Sequence, residues 1–564
     1  LSSWKRWVAA TAAAIAVALV ILSCGSRGPI EPPPPPPGPV EPVEPVEPVK
    51  PIVDLFVVVL DSRPDPQPIV GAGVTVTNED GTAGLRLTDG AGFVHFPVTG
   101  SVQVEVTKSG FVTKLTNLPP GAHRVHLDRA PIAGVGEPPW KGRLQVSQNQ
   151  RGFVDEDHRW QLPLLAHFGE AFSAYIRRPA DVEDQLIAIK QAGYDGIRFW
   201  DTLGYWDGAW RNKEVMPWGF VNHSGQSIPA TANYYDHLRG FLLLLKQVGL
   251  AAHHSRGDLN HQPLSRVVEH AERVAQVYDQ VGWDILAVFE GNNEDFQNGS
   301  FGAAGLRAIT EPARRRGAIT ASSCPGLCTE ELADFVEYTR GFPIFYVHGF
   351  RNGQATDRLR HIFSLGYELH AHLGGVRLGW QGEPPGPNDF PGIGVTVGHT
   401  EDIEELGLLA VQSLIFRQGW VYMSQYGVFW NGRIDTHSGF RVVPQMRVQL
   451  LAFAPDVMGW SVYHGSRPEA VLRSPTGYYG DPGVNEGPAR IDQAISSDRR
   501  RVVATVHGGR GTKGVRNDLG CVLDVKVVQP RDDETVDVHN VTLSPGQVLP
   551  LNYRVGRMLL GSCQ

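Results

Sequence analysis

From residue 162 onward the apolar positions follow a recurring order: a helical face, a glycine, then a short apolar run. Val182, Leu186 and Ile189 share one face of a helix that Gly193 ends, and Ile197-Arg198-Phe199-Trp200 follows as a strand. Leu238, Leu242 and Leu245 repeat the order up to Gly249, ahead of Leu250-Ala251-Ala252-His253-His254. Val267, Ala271, Val274 and Tyr278 repeat it again, with Gly282 ahead of the run from Ile285 to Phe289. Later copies set Gly317 before Ala318-Ile319-Thr320, Gly341 before Ile344-Phe345-Tyr346-Val347, Gly375 before Val376-Arg377-Leu378, and Gly419 before Trp420-Val421-Tyr422. Glycine suits the left-handed position that closes a helix. With Leu162-Pro163-Leu164-Leu165-Ala166 as a first strand, the pattern predicts eight parallel strands, the number in a (β/α)8 TIM barrel, here spanning residues 133–488. Gly459 before Trp460-Ser461-Val462-Tyr463 is a ninth candidate and reads as the strand that leaves the barrel. No glycine-rich phosphate loop stands at a strand-to-helix turn, which argues against an open nucleotide-binding sheet.

The flanking segments alternate instead. Residues 52–132 contain short runs such as Leu55 to Leu60, Val74 to Thr77 and Val102 to Val106, broken by Asp80-Gly81 and Asp89-Gly90, and predict a β-sandwich. Residues 489–564 alternate again, at Val502 to Val506, Val522 to Val528 and Val536 to Leu543, and predict a C-terminal β-domain. Between residues 25 and 51 the chain is nearly all Pro, Val and Glu, including the hexaproline Pro32 to Pro37. That composition supports no packed core and favours a polyproline II spacer of some 70 Å at roughly 3.1 Å per residue. At the start, Lys5 and Arg6 precede an apolar run from Val8 to Leu22 that only Thr11 interrupts, and the pattern reads as an export signal over residues 1–24. As a helix that run covers about 22 Å, short of the ~30 Å hydrocarbon core, so a permanent spanning helix is the weaker alternative.

Composition narrows the function classes. The 564 residues carry 51 Lys and Arg against 59 Asp and Glu, a net charge of -8, and no basic block beyond the short run Arg314 to Arg316, which argues against sequence-independent nucleic-acid binding. The five cysteines fit export: beyond Cys24, four are left to pair as two disulfides. Local pairing of Cys324 with Cys328 and Cys521 with Cys563 is expected, although four cysteines allow three connectivities. No cofactor and no metal is expected. A set of His253, His254 and Asp258 is the metal-site alternative, but no spaced histidine pair completes it. Nothing in the sequence sets an oligomeric state.

In a barrel the chemistry gathers at the C-terminal ends of the strands. The residues there are Arg198 after strand two, His253 and His254 after three, Glu290 to Glu294 after four, His348 after six, and Gln381 to Glu383 after seven. Glu294 and Glu383 would face one another across the mouth, the paired carboxylates that glycoside hydrolysis needs. Glu290 is the rival acid and reads as a buried structural carboxylate. Of the adjacent histidines only one can point to the mouth, and His254 is taken as that one. Trp200, Tyr205, Trp206, Trp210 and Trp218 crowd the loop after strand two, with Trp380 and Trp430 near strands seven and eight. Single tryptophans are usually packing residues, but this density suggests the wall of a sugar-binding cleft.

Three resemblances add to these readings. Phe289-Glu290-Gly291-Asn292-Asn293-Glu294 resembles the strand-four signature of clan A glycoside hydrolases, the cellulase-like superfamily of retaining (β/α)8 enzymes. The resemblance implies Glu294 as acid/base, Asn293 on the sugar 2-hydroxyl, Glu383 as nucleophile and Arg198 as its hydrogen-bonding arginine. It also implies a substrate-site role for His348 in Tyr346-Val347-His348, with Tyr346 beside it. Asp295 stands where many members carry Pro, and Pro384 follows Glu383 where several carry an aromatic residue or Gly. Ile21-Leu22-Ser23-Cys24 resembles a bacterial lipobox, which implies a lipid anchor on Cys24 and an exported, membrane-anchored protein. Gly73-Val74-Thr75-Val76 and Thr88-Asp89-Gly90-Ala91-Gly92-Phe93 resemble carboxypeptidase regulatory-like or Ig-like modules. The expected protein is an exported retaining glycosidase that acts on a β-linked oligo- or polysaccharide. The alternative is a catalytically inactive barrel lipoprotein that binds carbohydrate.

Overall fold

The computed structural model describes residues 53–61, 68–69, 71–107, 113–127, 136–148, 152–205, 212–293, 295, 299, 301–321, 440–464, 468–475, 490–507, 512–531, 533, 535–552 and 557–564. Segments 344–348, 378–383 and 418–422 are described in their backbone alone. Two compact units divide between Arg129 and Ala130.

In the first unit, Val53–Asp61 is the middle of a three-stranded sheet, antiparallel to Phe93–Val98 and parallel to Gly121–Leu127. Ala83–Leu87, Gly73–Thr77, Val102–Thr107 and Lys114–Leu118 form a second sheet in that order. Alternation turns Val102, Val104 and Val106 inward, where they meet Leu55, Val57, Val74 and Phe96 in one core. The two sheets are thus the layers of a sandwich. Aspartates shape its turns: Asp80 Oδ1 accepts the Thr82 N–H, and Asp89 Oδ1 accepts those of Ala91 and Phe93.

The second unit is built on eight strands: Leu164–His167, Gly196–Trp200, Ala251–Ser255, Leu286–Glu290, Thr320–Ala321, Ile344–His348, Leu378–Glu383 and Gln418–Tyr422, numbered one to eight here. Their hydrogen-bonded order is five, four, three, two, one, eight, seven, six, and every described pairing is parallel. That is the order of a (β/α)8 barrel read round from strand five. Strands five and six, at the two ends of the order, approach within 8 Å between Cα atoms. Strands one to four are buried at every position, as expected of parallel strands covered on both faces.

Helices Pro179–Ala192, Tyr234–Val248, Leu264–Val281 and Gly302–Arg314 lie between the first five strands in sequence. Gly193 and Gly249 close the first two in the left-handed conformation, at φ 99° and 81°. A Cβ on Gly249 would also lie 2.2 Å from the Glu137 carbonyl oxygen. Gly249→Ala is therefore expected to lower stability by more than ~1 kcal/mol, read as a lower urea midpoint with an unchanged m-value.

The C-terminal β-region differs from expectation in two ways. Ser461–His464, expected as an exit strand from the barrel, pairs antiparallel with Arg490–Ile495 and joins the C-terminal sheet. Arg501–His507, Arg557–Cys563, Leu523–Pro530 and Val536–Leu543 complete that six-stranded sheet. It is also no separate body beginning at residue 489. Ala494, Val503, Val528, Met558 and Leu560 share the core of the parallel sheet, whereas Ile491, Val502, Ala504 and Leu559 face a second core. Both faces of the C-terminal sheet are covered, one of them by the barrel region itself. Cys521 and Cys563 form a disulfide that ties the last strand to the start of Leu523–Pro530, with Cα atoms 5.7 Å apart. Cys24, Cys324 and Cys328 lie outside the described residues.

Candidate active site

Register brings the first group of side chains together. His167 at the end of strand one pairs with Arg198 on strand two, and Arg198 pairs with His253 on strand three. A register shift between Ala252 and His253 sets His253 beside Val288, so Glu290 ends strand four just above this layer. All four side chains are buried. Arg198 Nη2 donates to Glu290 Oε2 at 3.0 Å, and its Nε donates to the same oxygen at 3.2 Å. Arg198 Nη2 also donates to Asn293 Oδ1 at 2.6 Å, and Nη1 lies 3.1 Å from His167 Nδ1. His253 Nε2 lies 3.0 Å from Glu290 Oε2, so against a carboxylate it is the donor. One guanidinium thereby links strands one, two and four and fixes the Asn293 side chain.

This geometry corrects one expectation, that on the histidine pair: His253, not His254, faces Glu290 and Arg198. His254 turns to the opposite side of the strand, where Nε2 donates to Asp201 Oδ2 at 2.8 Å and the Tyr278 hydroxyl meets Nδ1 at 3.1 Å. Arg198, expected to bond Glu383, has Glu290 as its described carboxylate partner. Glu290 is buried in that pair, in keeping with its reading as a structural carboxylate and not as the acid.

Glu294, Trp206, Trp210 and Trp430 lie outside the described residues. Tyr346, His348, Trp380 and Glu383 are described in backbone alone. Glu383 is the last residue of strand seven and pairs in register with His348, the last of strand six. The strand runs five residues further than the apolar run Val376 to Leu378 indicates, because Gly379, Gln381 and Gly382 interrupt the hydrophobic signal without interrupting the ladder.

Two of the described loop aromatics, Trp200 and Trp218, serve packing, while the Tyr205 hydroxyl meets His261 Nε2 at 2.7 Å on the surface. Trp200 is buried, edge-on to His167 at 5.0 Å and 5.8 Å from the Arg198 guanidinium, so it lies under the site instead of standing as a cleft wall. Trp218 packs edge-on to His270 at 5.4 Å. Asp295, where clan A sequences often carry Pro, accepts the Phe301 and Gly302 N–H groups at 3.1 and 2.9 Å and so caps the following helix.

A second polar group, unforeseen from sequence, lies on the helix side of strands two and three. Asp201 Oδ2 accepts from His254 and from His270 Nε2 at 3.0 Å, and the Tyr235 hydroxyl meets His270 Nδ1 at 3.1 Å. Each imidazole donates to the carboxylate through Nε2, and its Nδ1 meets a tyrosine hydroxyl that a neutral ring would accept from. Burial works to raise the Asp201 pKa, but the two imidazoles hold it far below the usual carboxylate range. Burial likewise depresses His254 and His270, and it brings His253 down to about 4. The set His253, His254 and Asp258 does not assemble as a metal site: His253 and His254 point to opposite sides, and Asp258 accepts the Tyr205 N–H at 2.5 Å.

These shifts set the sign of an acid effect. Below pH ~6.5 the unfolded chain protonates the three histidines, whereas the fold keeps them neutral, so stability is full above that pH and falls as pH drops toward 4. Urea midpoints measured between pH 7 and 4.5 should decline, and His270→Gln should flatten the decline.

No family model matches the chain, and no curated protein matches it. Solved structures do. A candidate glycoside hydrolase from Bacteroides vulgatus ATCC 8482 superposes with a TM-score of 0.52 at 9% identity, over 91% of this chain and 98% of its own. The chain shares the fold of that structure. A structure described as a glycoside hydrolase gives 0.49 at 11% identity, over 75% of this chain and 97% of its own. A glycoside hydrolase family 5 protein, also from Bacteroides vulgatus ATCC 8482, gives 0.47 at 12%, over 75% and 94%.

Proposed function

We propose that the protein is a retaining glycoside hydrolase acting on a β-linked extracellular glycan, with Glu294 as acid/base and Glu383 as nucleophile. The observation that carries this reading is the placement of motif residues at strand ends. Arg198 lies on strand two, Asn293 lies three residues beyond strand four with its side chain held by Arg198, and Glu383 ends strand seven. An eight-stranded parallel sheet in barrel order, read as closed between strands five and six, turns these ends toward one mouth.

In this mechanism Glu383 attacks the anomeric carbon while Glu294 protonates the leaving oxygen. Glu294 then takes a proton from the water that releases the glycosyl-enzyme. Asn293, pinned through its Oδ1, presents its Nδ2 donor to the substrate. The two carboxyls would stand ~5 to 5.5 Å apart. We further propose that residues 1–24 direct export and that Cys24 carries a lipid anchor, with residues 25–51 as spacer.

The test is hydrolysis by the full chain of aryl β-glycosides and of β-glucan, mannan and xylan, with the anomer of the first-formed product followed by proton NMR. A β-anomer from a β-linked substrate is expected. An α-anomer would overturn retention, and absence of turnover on every substrate would overturn the enzymatic reading.

A further inference from the structure

The residue after strand three is a buried arginine whose side-chain hydrogen bonds among the described residues run to one short stretch of chain. Arg256 is fully buried. Its Nη1 donates to the Glu290 carbonyl at 3.0 Å and to the Gly291 carbonyl at 3.4 Å. Its own carbonyl accepts the Asn293 N–H at 2.7 Å, and its guanidinium lies 4.6 Å from the centre of the Phe289 ring. The one residue just after strand three thus contacts positions 289, 290, 291 and 293.

The placement is informative because the ladder between strands three and four ends at His254 and Phe289. Beyond that point, the chain that carries Asn293 leaves the sheet. Its far side is tied to strand five, where Gly291 N–H donates to the Ala321 carbonyl at 3.0 Å. Arg256 supplies the near-side bonds that the ladder no longer makes. Asn293 is then held twice, by its side chain through Arg198 and by its backbone through Arg256.

A bulky apolar residue would fill this space without the cost of desolvating a cation. Nε and Nη2 of Arg256 have no hydrogen-bond partner among the described residues, so the group is not there for a complete ion-pair network.

We propose that Arg256 is a positioning residue for the proposed hydrolysis: it holds the turn after strand four so that Asn293, and Glu294 next in the chain, meet the scissile bond. The inference rests on the assignment of Glu294 as acid/base. Leaving groups that need protonation will therefore feel its loss most.

The test uses the full chain with Arg256→Met, which keeps bulk over Phe289 but removes the donors, and Arg256→Lys, which keeps the charge. On aryl β-glycosides with poor leaving groups, Arg256→Met should lower kcat by roughly 100-fold with KM changed less than about threefold. On dinitrophenyl glycosides the loss should be under about tenfold, and Arg256→Lys should recover most of both. An equal loss across leaving groups, or unchanged kcat with only a lower melting temperature, would overturn the proposal. Amide hydrogen exchange separates this failure from failure of the hydrolase reading. If the parent protein hydrolyses nothing, the hydrolase reading falls by itself. Faster exchange at Gly291 and Asn293 in Arg256→Met, with strand one unchanged, would still support the positioning role, and unchanged exchange there would overturn it.

Discussion

Glu383→Ala is expected to abolish hydrolysis of every substrate, with kcat lower by on the order of 10⁴-fold or more, while the protein keeps its fold. A nucleophile cannot be replaced by a better leaving group, because no glycosyl-enzyme forms without it. Glu294→Ala should behave differently. Loss of a general acid costs about 10² to 10⁴-fold where the leaving oxygen must be protonated, and much less where the departing phenolate is stable alone. Added azide should then restore turnover in Glu294→Ala and yield a β-glycosyl azide, since the second step needs a nucleophile that requires no base. In Glu383→Ala azide should yield the α-glycosyl azide, if any. Identical responses of the two variants would sink the assignment of roles. The measurement is steady-state kinetics on aryl glycosides of graded leaving-group pKa, with the azide products identified by NMR.

Glu290→Ala should act on the fold instead. Removing Glu290 leaves Arg198 buried without its described carboxylate, and breaking a buried pair from one side costs about 3–5 kcal/mol. A large fall in the urea midpoint is expected, against little change in Glu294→Ala. Pairing Arg198→Met with Glu290→Met should return much of the lost stability, because both charges leave together and Met fills much of the volume. It should not restore catalysis, since the hold on Asn293 through Arg198 Nη2 is gone. A stable Glu290→Ala protein with strongly reduced turnover would make Glu290 the acid and demote Glu294.

Much of the fold was legible because helix-closing glycines are a local requirement. Gly193 and Gly249 adopt left-handed conformations that other residues take at a cost, so each announces the strand that follows it. Hydrophobic runs marked strand seven only at its first residue but strands one to four within a few residues, since a parallel strand covered on both faces is largely apolar. That same property hid the facing of individual residues. With every position of Ala251–Ser255 buried, no polar alternation distinguishes His253 from His254, and only the partners on other strands show which one meets Glu290. His167 was missed because the apolar run of strand one stops at Ala166, one residue short.

By itself the sequence marked the β-segments on either side of the eight-strand repeat, which depend on neighbours in the chain, and left the pairing of Cys521 with Cys563 as one of three connectivities. Tertiary structure decided the rest. It matched Arg198 with Glu290, gathered Asp201, His254 and His270 into one buried group, and sent Ser461–His464 to the C-terminal sheet. It also merged that sheet with the core of the eight-stranded parallel sheet. Each of these joins residues distant in sequence whose charges or apolar faces find partners only after the strands have stacked, and burial then makes those partnerships obligatory.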